Sequence, residues 1–186
     1  MKVVFIRHGE PNYTPCDEAG FCGLGRDMAP LSAVGREQAK EVAKSPLLDG
    51  IEIILSSPYT RTMETASAVS LETNVPVIPE VDLHEIIPDK TFRNKGPEDT
   101  HRQQAEFKKY RGIYPKDKEC TWESMQECID RVCKVLNEYI DAGYEKIAVV
   151  AHGGVLRRFV GAGQIGFCCI YEVEYSKDFK CFGWIE

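Results

Sequence analysis

Two apolar runs that each end in a His-Gly pair constrain the fold of this chain more than any other feature. Residues 2–6 read Lys-Val-Val-Phe-Ile and lead directly into Arg-His-Gly-Glu at positions 7–10. Residues 146–151 read Lys-Ile-Ala-Val-Val-Ala and lead into His-Gly-Gly at positions 152–154. Runs of β-branched and aromatic residues that stop at glycine predict buried strands. Because ligands of parallel α/β sheets bind at the carboxyl ends of the strands, we expect both histidines to face one pocket.

Helical patterns alternate with predicted strands along the rest of the chain. Ser32 is a predicted N-cap for a helix whose body covers residues 36–43. Ser57 and Pro58 are predicted to begin the next helix, because serine caps helices and proline suits the first turn. The remaining predicted elements are strands at 51–55 and 75–79, an amphipathic helix at 122–142 that ends at Gly143, a helix after the second histidine, and terminal edge strands at 167–175 and 179–185. This alternation predicts a single domain over residues 1–186, a three-layer α/β/α sandwich around a mostly parallel central sheet.

Two long segments lack this periodicity. Residues 11–30 are rich in Pro, Gly, Asn and Asp and are predicted to form an ordered or mobile loop. Residues 86–121 are polar and irregular and are predicted to form a lid or insertion above the site, since loops of this length in compact domains are usually functional. Arg93 and Lys95 in this lid could select a second anionic group of a substrate, but an ordinary solvated face is the default interpretation.

Composition limits the partners and the location that we expect. The formal net charge of −6 over 186 residues disfavours nonspecific binding to nucleic acids or anionic membranes. A small anionic substrate stays open, because local arginines can outweigh the global charge inside a cleft. No apolar run is long enough to cross a bilayer, and no secretory signal precedes the first strand, so we expect a cytoplasmic protein.

The eight cysteines do not predict a functional cluster. None of them forms a C-x-x-C pair, which gives little support to a zinc or thioredoxin-like site. Disulfides are not expected in a reducing cytosol. Cys168 and Cys169 would point to opposite sides of the sheet if they lay in a strand. A redox or metal protein built on cysteine is therefore an alternative that requires thiols to cluster in space.

Five short motifs follow one another along the chain. They are Arg-His-Gly-Glu at 7–10, Asp-Met-Ala-Pro-Leu-Ser at 27–32, Ser-Ser-Pro-Tyr-Thr-Arg-Thr at 56–62, Leu-His-Glu at 83–85 and His-Gly-Gly at 152–154. Each is weak alone, but together their order and their coverage of nearly the whole chain resemble the histidine phosphatase superfamily, which has the phosphoglycerate mutase-like fold. The resemblance implies an enzyme of that fold that uses no cofactor and no metal.

The resemblance also implies roles for five catalytic residues. His8 would attack phosphorus and form a phosphohistidine, which splits one difficult step into two. Arg7 and Arg61 are permanently charged forks that suit phosphate oxygens. His152 would donate a hydrogen bond to a phosphoryl oxygen and stabilise the charge that develops there. Glu85 would protonate the departing alkoxide and then activate water.

Departures from the family pattern bear on the substrate contacts. Asn12 and Thr14 stand where mutases of the family often carry a tryptophan and an asparagine, and either of them could contact phosphate. Cys22 and Gly23 resemble a glycine loop that offers backbone amides to the substrate, with a thiol in place of a frequent hydroxyl. Gly153, directly after the second histidine, is a further candidate. The identity of the substrate does not carry over from the family.

We therefore expect a metal-independent phosphomonoesterase that hydrolyses a small phosphorylated metabolite through a phosphohistidine intermediate. A phosphoglycerate mutase is the enzymatic alternative, although mutases of this family are usually longer. A third hypothesis is a non-catalytic protein that binds a phosphorylated ligand or a phosphohistidine partner, but ligand binding alone does not need Glu85. Glu10 is the rival of Glu85 for the role of the acid. No sequence feature specifies an oligomeric state.

Overall fold

The computed structural model describes residues 1–185 as a five-stranded sheet with helices on both faces. The strands are β1 (Lys2–Arg7), β2 (Ile53–Ser56), β3 (Val77–Pro79), β4 (Lys146–Ala151) and β5 (Ile170–Glu174). The α-helices are α1 (Thr14–Glu18), α2 (Ala33–Val42), α3 (Thr60–Thr73), α4 (Pro97–Lys109), α5 (Met125–Asp141) and α6 (Gly153–Val160). Short 3₁₀ segments cover Gly23–Met28, Pro46–Leu48 and Val81–Leu83.

The order of the strands brings the two histidine motifs together. The sheet runs β3-β2-β4-β1-β5, and every neighbouring pair is parallel except β1 with β5. In the β1–β4 pair, Arg7 lies opposite Ala151, so the two strands end at the same level. His8 and His152 follow directly and therefore emerge side by side. The predicted mostly parallel sheet is confirmed, and β3 is an edge strand as expected.

Alternate residues of each central strand feed two separate cores. Val3 and Phe5 of β1 pack with α5 and α6 on one face, and Val4 and Ile6 pack with α2 and α3 on the other. A strand that is apolar on both faces requires a cover on both sides. The molecule is therefore layered α/β/α, as the sequence predicts.

The helix boundaries follow the capping residues. The Ser32 hydroxyl accepts from the Gly35 amide, which confirms it as the N-cap of α2. Ser124 and Glu127 form a reciprocal capping box, so α5 begins at Met125 rather than at the predicted residue 122. The prediction that Ser57 and Pro58 begin α3 is wrong, since this helix begins at Thr60 with no side-chain cap.

Both segments that lack periodicity contain helix, which corrects the loop predictions. Residues 11–30 hold α1 and the 3₁₀ segment Gly23–Met28, which an Arg26–Asp17 ion pair joins at 2.8 Å. Residues 86–121 hold the 13-residue helix α4. This helix has Pro97 in its first turn and carries few apolar residues, so hydrophobic periodicity does not reveal it.

The chain ends differently from the prediction. Only the first terminal segment forms a strand, β5, while residues 179–185 run without strand pairing. The amide of Phe182 donates to the carbonyl oxygen of Arg158, which holds this segment against α6. Cys168 precedes β5 and has a φ of 53°, so the expectation that the cysteine pair lies within a strand is wrong.

Within residues 1–185, His, Cys, Asp and Glu side chains form no group of three or more that could hold a metal ion. All eight cysteines are free, and the Cys133 and Cys181 sulfurs lie 3.9 Å apart. In the same part of the chain, no helix combines the length and the apolar character that crossing a membrane requires. The cytoplasmic location and the single-domain boundary stay predictions.

Candidate active site

A cavity of about 860 Å³ opens at the carboxyl ends of β1 and β4. Its floor contains Arg7, His8, Arg61 and Glu85. One wall comes from residues 20–27, and a second wall, which touches the first at Cys22 and Asn94, comes from the segment between residue 86 and α4. The structure thus brings together four of the five predicted catalytic residues at the surface of one cavity.

His8 is held as a neutral imidazole. Its ring is only 4% exposed, and Nδ1 lies 2.7 Å from the Gly9 carbonyl oxygen. A carbonyl oxygen only accepts, so Nδ1 carries the proton and Nε2 keeps its lone pair. Burial, helped by the nearby charges of Arg61 and Arg7, lowers the pKa of His8 to about 3. An unprotonated Nε2 is the form of histidine that can act as a nucleophile.

Arg7 is fixed over the ring of Phe167. Its guanidinium carbon lies 4.2 Å from the ring centroid, and Nη1 donates to the Ile165 carbonyl oxygen. Its Nε is buried and has no hydrogen-bond partner among residues 1–185. A Cβ at Gly153 would lie 3.4 Å from this Nε, which is an ordinary van der Waals distance, so the guanidinium lies next to the start of α6 without requiring glycine there.

Arg61 is held from two sides. Nη2 donates to the Asp27 carboxylate at 3.2 Å, and Nη1 donates to the Asp27 carbonyl oxygen at 3.2 Å. Nη2 also lies 3.4 Å from Nδ1 of His152. Its Nε is buried without a hydrogen-bond partner in the described part of the chain. The Nε–H groups of Arg7 and Arg61 therefore have no acceptor among residues 1–185, and both guanidinium charges act on His8, which is an arrangement suited to an anion.

His152 lies behind the floor rather than on it. Its ring centroid is 5.1 Å from that of His8, but the residue is 0% exposed. A guanidinium only donates, so Nδ1 of His152 accepts from Arg61, and Nε2 donates to the Ser57 hydroxyl at 2.8 Å. Burial and the charge of Arg61 hold the pKa of His152 well below its usual range. Direct donation from His152 to a phosphoryl oxygen requires the contact with Arg61 to be exchanged.

Glu85 reaches the cavity at the N-terminus of α6. Its carboxylate accepts from the Ile86 amide at 2.9 Å and from the Gly154 amide at 3.3 Å. A Cβ at Gly154 would lie 2.4 Å from a Glu85 oxygen, so a larger residue there would displace the carboxylate from its present position. The rival Glu10 accepts from the Ser32 hydroxyl at 2.7 Å and does not line the cavity. The geometry therefore favours Glu85 as the acid.

The predicted substrate-binding residues separate into two groups. Cys22 and Gly23 line the cavity, and the Cys22 thiol donates to the Asn94 carbonyl oxygen at 3.5 Å. Asn12 and Thr14 lie outside it, since the Asn12 side chain accepts from the Thr14 amide, and Thr14 is exposed at the start of α1. Gly153 also lies outside the lining, next to Arg7.

Three residues of the site were missed by sequence reasoning. Asp27 and Tyr59 flank Arg61, with the guanidinium carbon 5.0 Å from the Tyr59 ring centroid, and Phe167 stacks on Arg7. Burial raises the pKa of the Asp27 carboxyl, and the adjacent Arg61 opposes that change. Asp27 lies in the motif at 27–32 and Tyr59 lies in the motif at 56–62, so their positions in the sequence could have indicated that they belong to the site. Phe167 lies outside all of them.

The basic residues of the lid have different environments. Lys90 pairs with Glu127 at 2.8 Å, and Arg102 pairs with Asp99 at 2.7 Å. The lid lysine at position 95 lines the cavity, whereas the arginine at position 93 is exposed and does not line it.

Several known proteins are similar to this chain in sequence. The model of the histidine phosphatase superfamily (branch 1) matches residues 3–164. The chain is 26% identical to the uncharacterized phosphatase PhoE of Bacillus subtilis, over 95% of this chain and 89% of that protein. It is 29% identical to the adenosylcobalamin/alpha-ribazole phosphatase of Escherichia coli, over 100% of this chain and 90% of the relative. It is 26% identical to GpmB of Cronobacter sakazakii, a probable phosphoglycerate mutase, over 100% of this chain and 90% of that protein.

Solved structures show the same fold. A mycobacterial glucosyl-3-phosphoglycerate phosphatase superposes with a TM-score of 0.69 at 18% identity, covering 92% of this chain and 88% of the other. The alpha-ribazole phosphatase of Shigella flexneri superposes with a TM-score of 0.67 at 21% identity, covering 99% and 96%. These likenesses confirm the predicted phosphoglycerate mutase-like fold.

Proposed function

The chain belongs to the histidine phosphatase superfamily, and on that basis we propose that it hydrolyses a small phosphomonoester through a phosphohistidine on His8. The observation that carries this proposal is the unprotonated Nε2 of His8 in a floor that also holds the charged guanidinium groups of Arg7 and Arg61. A nucleophile and two fixed cations are what phosphoryl transfer needs at the phosphorus. The arginines meet the charge of the phosphoryl oxygens, so the proposed reaction requires no metal.

The first step forms the phosphoenzyme. Nε2 of His8 attacks phosphorus, and the bond between phosphorus and the ester oxygen breaks. The carboxyl group of Glu85 gives its proton to the departing oxygen, which leaves as an alcohol. The proton on Nδ1 stays with the Gly9 carbonyl hydrogen bond, which stabilises the positive charge that the ring gains. Arg7 and Arg61 hold the phosphoryl oxygens throughout.

The second step releases phosphate. The Glu85 carboxylate now takes a proton from water, the hydroxide attacks phosphorus, and the bond between Nε2 and phosphorus breaks. His8 and the protonated Glu85 are regenerated. His152 stands next to Arg61 and Ser57 in this scheme and keeps the guanidinium in place. Its transfer to a direct contact with a phosphoryl oxygen stays a prediction.

The test measures phosphate release from 4-nitrophenyl phosphate in the presence of EDTA. We expect EDTA-resistant turnover in the wild type and a loss of at least about 10³-fold in His8→Ala, since the proposed phosphohistidine cannot form without that imidazole. His84→Ala is the matched control, because His84 lies one residue before the acid, binds the Glu85 carbonyl and does not line the cavity. Turnover that survives in His8→Ala would overturn the proposal.

A second experiment isolates the acid. 4-Nitrophenolate departs as a stable anion, whereas an alkoxide needs a proton as it departs. Glu85→Gln is therefore expected to slow phosphoenzyme formation from an alkyl phosphate far more than from 4-nitrophenyl phosphate. General acid catalysis contributes about 10²–10⁴-fold. Rapid-quench measurement of the phosphohistidine gives the rate of this step, and Glu10→Gln is the control. Equal effects on the two substrates would remove Glu85 as the acid.

A mutase is the second candidate, which the likeness to GpmB favours. A mutase returns the phosphoryl group to the bound intermediate instead of to water. Incubation with 3-phosphoglycerate distinguishes the two reactions, because a mutase yields 2-phosphoglycerate while the proposed phosphatase yields free phosphate.

A further inference from the structure

The cavity extends well beyond the groups that would bind a phosphoryl group. Its volume of about 860 Å³ lies within the range of pockets that hold drug-sized ligands, roughly 300–1,000 Å³. Arg7, His8 and Arg61 occupy only the floor. Most of the space therefore remains for the leaving group of the phosphomonoester. The residues that line this space indicate which leaving groups it can bind.

The walls beyond the floor are mixed, and one part of them is apolar. Phe21 and Leu24 belong to one wall, and Ile87, Pro88 and Phe92 belong to the other. Polar groups elsewhere in the lining come from Asn94, Thr100, His101 and Gln104. Phe21 is 54% exposed, Leu24 is 44% exposed and Phe92 is 62% exposed. Large apolar side chains that are gathered at the mouth of a pocket mark a binding surface, because their exposure to water is unfavourable.

Few charges on these walls are available to a second anionic group. Arg26 is paired with Asp17 at 2.8 Å. The Asp89 carboxylate is turned into its own loop, where it accepts from the amides of Thr91, Arg93 and Asn94. Among the described lining residues, only Lys95 carries a positive charge outside the floor that no ion pair occupies.

The turn that carries Phe92 is built to present its ring. Phe92 has a φ of 55°, in the left-handed region that bulky residues rarely adopt. The buried Asp89 binds amides on both sides of Phe92 and imposes this conformation. Backbone strain that is held in place by such a network is characteristic of functional positions.

We propose that the space lined by Phe21, Leu24 and Phe92 is a subsite for the leaving group of the substrate, and that this leaving group is an alcohol that carries an apolar ring. This inference rests on the proposed function, because the first of its two tests measures the hydrolysis of phosphate esters. It makes Phe92 a specificity-determining residue, which buries its ring against that of the substrate.

The experiment compares two alkyl phosphates whose leaving groups are both primary alcohols. We expect kcat/KM for 2-phenylethyl phosphate to exceed that for ethyl phosphate by at least about 10-fold, since burial of a single methylene in an apolar pocket is already worth about 10-fold. In Phe92→Asn this ratio is expected to fall at least about 5-fold. Asparagine tolerates a positive φ, so the variant keeps the turn while it removes the ring.

Leu71→Asn is the matched control, because Leu71 is the most exposed large apolar residue at 87% and lies on α3 outside the cavity. It is expected to leave the ratio unchanged. A wild-type ratio near one, or a ratio that survives in Phe92→Asn, overturns the subsite.

A binding measurement separates this inference from the proposed function. Calorimetric titration compares 2-phenylethylphosphonate with ethylphosphonate, which carry a bond that cannot be hydrolysed. Tighter binding of the phenyl compound, weakened in Phe92→Asn, supports the subsite even if no phosphate is released from any ester. Equal affinities together with normal phosphatase activity overturn the subsite and leave the proposed function standing.

Discussion

The charge state of His8 depends on three surroundings: burial and the Arg61 guanidinium lower the pKa of the ring, whereas the hydrogen bond to the Gly9 carbonyl opposes them and fixes the remaining proton on Nδ1. The Gly9 carbonyl binds the proton on Nδ1, burial penalises a charged ring, and the Arg61 guanidinium repels a second proton. Burial is the largest of these effects. At the residue scale, His8 therefore has the charge state that the proposed role as nucleophile requires before any substrate binds.

This charge state predicts the pH dependence of kcat/KM. An ordinary histidine would be only about 3% unprotonated at pH 5, whereas the pKa of His8 near 3 leaves about 99% of it unprotonated. After correction for the substrate phosphate, which itself titrates near pH 6, we expect no acid limb with a pKa of about 6.5. If kcat/KM instead falls at low pH with a pKa of about 6.5, His8 is not held as a neutral ring.

Asp27 positions the cation rather than contacting the phosphate. Its carboxylate and its carbonyl oxygen bind two different nitrogens of Arg61. The same residue belongs to the 3₁₀ segment whose neighbours line one wall. Asp27 therefore links the placement of the guanidinium to the placement of that wall.

The substitution Asp27→Asn tests this link. It keeps an oxygen for the hydrogen bond but removes the negative charge, so Arg61 is held less firmly while the floor becomes more positive. We expect kcat to fall about 10-fold, which corresponds to the loss of about 1.4 kcal/mol, without an increase in KM. Asp99→Asn, which breaks an exposed ion pair with Arg102, is the control. A raised KM with an unchanged kcat would indicate that Asp27 serves substrate binding alone.

At the scale of elements, the first motif is held by contact between two glycines. A Cβ at Gly9 would lie 2.5 Å from the Gly35 carbonyl oxygen, and a Cβ at Gly35 would lie 2.1 Å from the Glu10 carbonyl oxygen. The start of α2 therefore packs directly on the backbone that follows His8. Further bonds tie the same backbone to its neighbours, from the Gly9 amide to the Thr65 hydroxyl and from the Glu10 amide to Gln38.

Gly35→Ala is expected to be strongly destabilising, because the new methyl group overlaps backbone that cannot move without displacing residues 8–10. Overpacking of this kind costs about 1–3 kcal/mol, and phosphatase activity is expected to fall with it. Urea denaturation measures the first effect and kcat/KM the second. Gly183→Ala is the control, since a Cβ there meets nothing within 4 Å. A Gly35→Ala protein with wild-type stability would show that the contact is not tight.

At the scale of the whole molecule, the buried histidines make stability depend on pH. Below pH 6.5 the unfolded chain binds protons on His8 and His152, while the folded protein does not, down to a pKa of about 3 for His8. The unfolded state thus binds more protons in this window, so the free energy of unfolding falls as the pH falls. Each proton that the unfolded chain binds and the folded protein does not bind changes the free energy of unfolding by about 1.4 kcal/mol per pH unit.

We expect the free energy of unfolding to decrease between pH 7 and pH 5, a window that lies above the ordinary range of carboxyl groups. Urea titrations at several pH values give the slope of the free energy of unfolding against pH. His152→Gln is expected to reduce this slope by up to about 1.4 kcal/mol per pH unit, the contribution of one proton. The surface variant Leu71→Asn should leave the slope unchanged. A slope equal in the wild type and in His152→Gln would show that the imidazole of His152 is not buried as a neutral ring.

The sequence predicted the central strands, the capping of α2, the α/β layering and the cluster of Arg7, His8, Arg61 and Glu85, because each depends on local patterns or on the shared edge of a parallel sheet. It did not predict α4 or the helical content of residues 11–30. These segments are shaped by turns, ion pairs and contacts with each other, none of which leaves a hydrophobic period.

The sequence by itself therefore determined which chemical groups this protein places at the end of its sheet, since strand periodicity and the motifs that follow β1 and β4 are properties of short stretches of chain. Only the tertiary structure decided how those groups are used. It buried His152 behind Arg61 and moved Asn12 and Thr14 away from the cavity. It also brought Asp27, Phe167 and Phe92 to it from distant positions. Contacts between residues far apart in the chain, together with the burial that lowers the pKa of His8, arise only when the chain has folded.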